Sequence, residues 1–101
     1  MVSLRAPRSA VGREQKRARP AVILQSDSAS WLGTVAVAPT STSAQPALYR
    51  PAITVRGRPT RVLLDQVTSV DRGRLGRSSG HLAAAELREV EHALSLLFGL
   101  Y

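Results

Sequence analysis

The sequence predicts a mainly β protein, a small barrel with one C-terminal helix packed against it. Four short runs rich in Val, Ile and Thr follow one another between Pro20 and Val70, separated by clusters of Gly, Pro, Ser and Asp. From Ala83 onward the apolar spacing changes to threes and fours. A length of 101 residues holds one small core.

Residues 1–19 lack periodicity and combine Pro7 and Gly12 with a run of cations, so they read as a basic arm or loop preceding a domain over 20–101. "PAVILQ" (Pro20 to Gln25) is a continuous apolar run, hence a strand buried on both faces, with Pro20 at the permitted first position. "SDSASWLG" (Ser26 to Gly33) is turn chemistry, and "TVAVAP" (Thr34 to Pro39) is a second strand pairing antiparallel with the first. A polar, Pro-containing loop (Thr40 to Pro51) leads to "AITVRG" (Ala52 to Gly57) and to "TRVLLDQVTSV" (Thr60 to Val70), both strand-like. "DRGRLGRSSGH" (Asp71 to His81) predicts a loop or a short edge strand. The helix is expected over 83–98, with Leu87, Val90, Leu94, Leu97 and Phe98 on one stripe and Gly99 as its stop.

Fourteen Lys and Arg against seven Asp and Glu give a formal charge of +7. The excess is concentrated: residues 1–20 carry Arg5, Arg8, Arg13, Lys16, Arg17 and Arg19 against Glu14. That asymmetry points to a polyanionic partner. There is no Cys, which excludes a disulfide framework and a thiolate metal site, and His81 and His92 are isolated imidazoles without ligand spacing. No metal and no cofactor is expected. No apolar run approaches the roughly 18 residues of a membrane span, and no secretion signal is visible, so a cytoplasmic protein without membrane contact is the expectation.

The chemistry-bearing residues gather around the first two strands. Arg19 precedes Pro20, which anchors its backbone while the guanidinium is free to clamp a phosphate and stabilise the charge of a phosphoryl transition state. Ser41, with Thr40, Thr42 and Ser43, supplies hydroxyls for phosphate oxygens, and antiparallel register decides whether they reach Arg19. Asp65 interrupts an apolar run and is expected either to pair with Arg61, four residues earlier on the same strand face, or to act as a base. Glu14 is the lone acid of the basic segment. Arg13, Lys16 and Arg17 supply phosphate contacts, and Trp31 and Tyr49 aromatic faces for unpaired bases.

"RPAVILQSD", "TVAVAPTSTS", "LLDQVTSVDRGRLGR" and "LREVEHALSLLFGL", in this order, resemble the MazF/PemK family of bacterial endoribonuclease toxins, from about Gly12 to Leu100. The resemblance implies an SH3-like (CcdB/PemK-type) barrel, a homodimer, and the toxin half of a type II toxin-antitoxin pair whose cognate antitoxin covers the same groove. It implies metal-independent, sequence-specific cleavage of single-stranded RNA (mRNA, with tRNA and rRNA as further substrates). Attack by the ribose 2′-hydroxyl leaves a 2′,3′-cyclic phosphate and a 5′-hydroxyl.

By position, the family's catalytic Arg falls on Arg19 and its catalytic Thr on Ser41, while its Gly-x-Glu-Gln turn matches Gly12, Glu14 and Gln15. In the PemK-like branch the acid of the Asp-Gln pair, here Asp65, is assigned as base; that branch's Arg two residues earlier is replaced by Leu63. RNA contacts are expected from Arg13, Lys16, Arg17, Trp31, Thr40, Thr42 and Arg61. The family usually opens "Arg-Gly-(Glu/Asp)-Ile-Trp" with a first barrel strand, whereas this chain opens "MVSLRAPRSAVG". A member shortened at the N-terminus is therefore expected, with Val2 to Leu4 standing in for that strand. The competing expectation is a non-enzymatic CcdB-like toxin or silent homologue that binds a protein partner.

Overall fold

The computed structural model describes residues 2–4, 19–25, 32–78 and 80–100, with the backbone alone at 2–4, 19, 77 and 78. The strands are β1 (Val2–Leu4), β2 (Arg19–Ile23), β3 (Thr34–Ser41), β4 (Ala52–Val55), β5 (Arg58–Val62), β6 (Thr68–Asp71) and β7 (Leu75–Ser78), and the chain continues into helix α1 (Ala84–Phe98). They form one curled antiparallel sheet in the order β4-β5-β3-β2-β1-β7, with β6 also on β3. The mainly β architecture with one C-terminal helix is therefore as the sequence predicts. The short β1 lies within the segment read as a basic arm: Val2 pairs with Ala21 and Ser78. Residues 5–18 lie outside the described part.

Strand β3 organises the sheet because both of its edges are paired. β2 runs along one edge, from Ala21 opposite Pro39 to Ile23 opposite Val37. The other edge carries β5 and β6 in succession. Here the structure corrects the expected strand from Thr60 to Val70. Val62 lies opposite Thr40 and Thr68 opposite Val37, so six steps on one strand span three on its partner. The three extra residues form a 3-10 turn, Leu64–Gln66. Leu64 turns inward as it does so and becomes fully buried, which compensates for the interrupted ladder by about 1.5–3 kcal/mol.

Alternation along β2 and β3 fills both faces of the sheet. Ala21, Val35, Val37 and Val70 form a cluster on one face, and Val22, Ala38, Ile53, Val55, Val62 and Leu64 form another beneath α1. A run such as "AVIL" is apolar at every position because neither face meets water. The helix contributes Val90 and Ala93 to its cluster, with Leu94 and Leu97 packed alongside. Leu87 and Phe98 of the expected stripe are instead 47% and 58% exposed. At about 100° per residue they sit roughly 60° and 80° to one side of Val90, so the sheet covers only the other side of the stripe.

Both helix ends have an identifiable chemical cause. The Glu86 carboxylate accepts the N–H of Ala83 at 2.9 Å with one oxygen and the N–H of Thr54 at 2.7 Å with the other. One side chain thus caps α1 and ties it to β4 at the end of the sheet. At the other end Gly99 adopts φ +70, and Leu100 N–H donates to the Ser95 carbonyl at 2.8 Å, closing the helix as the sequence predicts.

Candidate active site

Antiparallel register answers the question that the sequence left open. The β2-β3 ladder ends at Ala21 opposite Pro39; Arg19 lies two residues beyond Ala21 on β2 and Ser41 two residues beyond Pro39 on β3, so both strand positions fall at the same end of the pair. Thr40 locks that end of the pair, its hydroxyl donating to the Pro20 carbonyl at 2.9 Å. Ser41 Oγ accepts the N–H of Ser43 at 3.2 Å and lies 3.3 Å from Ser43 Oγ. This turn of the Ser/Thr type holds the half-buried hydroxyl in place.

Beside this corner lies an open depression of about 370 Å³. Pro20, Thr40, Ser41 and Thr42 form one wall; Val55, Arg56, Arg58 and Thr60, on β4, β5 and the turn between them, form the other. Among the described residues no acidic side chain lines it. Arg56 and Arg58 were not singled out by the sequence, because the residues that bring them to the site are 15 or more positions away. The available signal was the hairpin "VRGR", in which Arg56 occupies a turn position that ordinarily takes Asn, Asp or Gly.

Asp65 stands apart from the depression. It lies on the 3-10 turn and is gripped by Arg50, whose Nε and Nη2 donate to its two oxygens at 3.1 and 2.9 Å. The expected pairing with Arg61 is corrected by that broken strand: Arg61 Nη1 donates instead to the Arg50 carbonyl at 2.9 Å, while Arg61 faces Ser41 across the β3-β5 ladder. The hydrogen bonds from Arg50 hold the Asp65 carboxyl below the usual carboxylate range and raise the Arg50 guanidinium in turn. A carboxylate so held stays ionised but accepts a proton less readily. Around this pair the Leu64 N–H donates to the Tyr49 carbonyl and the Val62 N–H to the Pro51 carbonyl, which fastens the β3-β4 loop to the turn.

Of the residues predicted from sequence, the fold thus collects the strand position of Arg19 with Thr40, Ser41 and Thr42. It holds Asp65 and Arg61 in the neighbouring Arg50 network. Glu14, Arg13, Lys16, Arg17 and Trp31 lie outside the described residues. Among the described residues no three His, Asp or Glu side chains cluster as metal ligands, and no helix is long and apolar enough to cross a membrane.

Known proteins resemble this chain in sequence and in fold. A toxin candidate from Mycobacterium tuberculosis is 40% identical over 90 residues, 88% of this chain and 84% of the relative. Among solved structures, the Mycobacterium tuberculosis toxin MazF-mt6 superposes with a TM-score of 0.77 at 22% identity, covering 97% of this chain and 95% of that one. An endoribonuclease from a mycobacterial species, solved with its cognate antitoxin, gives a TM-score of 0.78 at 17% identity, covering 99% and 93%. MazF from Deinococcus radiodurans gives a TM-score of 0.73 at 25% identity, covering 97% and 92%. Residues 1–98 match the family of PemK-like, MazF-like toxins of type II toxin-antitoxin systems, and the chain belongs to that family.

Proposed function

We propose that this toxin is a sequence-specific, metal-independent endoribonuclease acting on single-stranded RNA in the cytoplasm as a homodimer, and that a cognate antitoxin silences it by covering the same depression. The observation that supports the proposal is the β2-β3 pairing, which puts the strand position of Arg19 at the same end of the sheet as the oriented Ser41 hydroxyl on the wall of an open depression. An electrophilic phosphate is the substrate group that such a pair suits.

The ribose 2′-oxygen forms a bond to the adjacent phosphorus while the bond from phosphorus to the 5′-oxygen breaks, leaving a 2′,3′-cyclic phosphate and a 5′-hydroxyl. Arg19 holds the non-bridging oxygens and stabilises the extra negative charge of the pentacoordinate state. Ser41 donates to the same phosphate and fixes its orientation. The 2′-hydroxyl proton passes to a carboxylate, and the departing 5′-oxygen takes up a proton from solvent water. Between the two candidates Glu14 is the better acceptor, since Arg50 already engages both oxygens of Asp65. Asp65 then serves to hold the loop and the turn behind the site.

The test is incubation of a long single-stranded RNA with the protein in EDTA, with Arg19→Ala prepared in parallel and the fragment ends analysed chemically. Discrete fragments with cyclic phosphate ends, reduced about 10³-fold or more in the variant, are expected. Equal cutting by both folded proteins, or none by either, overturns the enzyme and favours a toxin that acts by binding a protein.

A further inference from the structure

The second wall of the depression breaks local rules that the first obeys. Val55 and Arg58 close a two-residue hairpin turn in which Arg56 has φ +52 and Gly57 φ +78. Positive φ at both central positions is the geometry that Asn-Gly or Asp-Gly adopts readily, and an Arg in the first place is strained. A second cation, Arg58, follows two residues later and is likewise exposed, so the tip carries mutual repulsion as well as strain. Neither guanidinium is offset by an acid among the described residues, whose ion pair joins Arg50 to Asp65. The nearby Glu86 carboxylate is committed to the N–H groups of Ala83 and Thr54. The Thr60 hydroxyl donates to the Arg58 carbonyl at 3.1 Å and fixes the backbone from which that side chain departs. Strain and unmet charge retained together at a site are the mark of a ligand contact.

We infer that Arg56 and Arg58 form a second phosphate subsite, holding the RNA backbone next to the phosphate engaged by Arg19 and Ser41. The inference rests on the endoribonuclease proposal above and extends it across the depression. Among the described residues four hydroxyls and two guanidiniums line the depression together with Pro20 and Val55. Those hydroxyls and guanidiniums are the groups that hold the phosphates of a sugar-phosphate chain.

The experiment measures anisotropy of a fluorescent mixed-sequence RNA, 2′-O-methylated throughout so that it binds without being cut, over a series of salt concentrations. Arg56→Asn suits the turn and Arg58→Gln keeps the length of the side chain, so the double variant is expected to melt no lower than the parent. Its plot of log affinity against log salt is expected to lose about 1.4 in slope, about 0.7 for each single-strand phosphate contact removed. Arg88→Gln, an exposed helix position outside the depression, is expected to leave the slope unchanged. An unchanged slope in the double variant, an equal drop in Arg88→Gln, or a loss confined to binding of polyglutamate overturns the subsite while the endoribonuclease stands. Failure of the parent protein to bind the RNA at all overturns both.

Discussion

The two walls of the depression are built by different means. On the β2-β3 side the reactive groups sit on paired strands, held by the Thr40 to Pro20 bond and the turn at Ser41. On the β4-β5 side they sit on a strained hairpin whose position depends on the Glu86 link to α1 and on the loop fastened by Arg50. The first wall is preorganised by backbone register and suits the chemical step, which needs fixed geometry. The second presents exposed guanidiniums and suits binding. Substitutions on the first wall should therefore change the rate of cleavage at saturation, and those on the second should change affinity and its dependence on salt.

The largest effect that sharpens the contrast is expected at Ser41. Ser41→Ala should lower single-turnover cleavage by about 10- to 100-fold with little change in RNA affinity, and Ser41→Thr should restore most of it, because the hydroxyl is the working group. Equal losses in the two variants would show that the turn, rather than the hydroxyl, matters.

The second wall breaks at its anchor. Glu86→Ala leaves the N–H groups of Ala83 and Thr54 without their acceptor and should cost about 1–2 kcal/mol in urea unfolding. A stability unchanged by this substitution would separate the helix from the hairpin wall.

The smallest effect concerns the link between the walls. The folded-state Asp65 carboxyl lies below its ordinary value, so its pair with Arg50 stabilises the fold above the ordinary carboxylate range near 4 and loses that contribution as pH falls through the lower folded value. The stability difference between parent and Asp65→Asn should thus be greatest near neutrality and vanish in acid. The pair is exposed, which keeps the effect small. A difference that grows as pH falls would contradict the assigned direction.

How much was legible in the sequence follows the same division. Strands β2 and β3, the helix and its Gly99 stop could be read because period, composition and caps are local; two neighbouring strands brought the hydroxyls Thr40 to Ser43 toward Arg19, and only the family resemblance singled out Ser41 among them. The Arg50 partner of Asp65 was hidden because the run Thr60 to Val70 alternates like one strand, and nothing local marks the turn at Leu64–Gln66. That turn answers to tertiary demands, a three-residue excess against β3 and a buried position for Leu64. The second wall was hidden for a related reason: Arg56 and Arg58 approach Ser41 only through the β3-β5 pairing. The exposure of Leu87 and Phe98 likewise depends on where the sheet ends, which helical spacing does not encode.

The central claim is that Arg19 and Ser41 act on one phosphate as a unit. It is tested most directly by a double-substitution cycle on single-turnover RNA cleavage in EDTA, using Arg19→Lys, which keeps a measurable rate, Ser41→Ala, and the two combined. The account predicts strong non-additivity, with the double variant only a few-fold slower than the slower single one. A double variant whose loss equals the product of the two single losses would place the residues in independent roles and contradict the account.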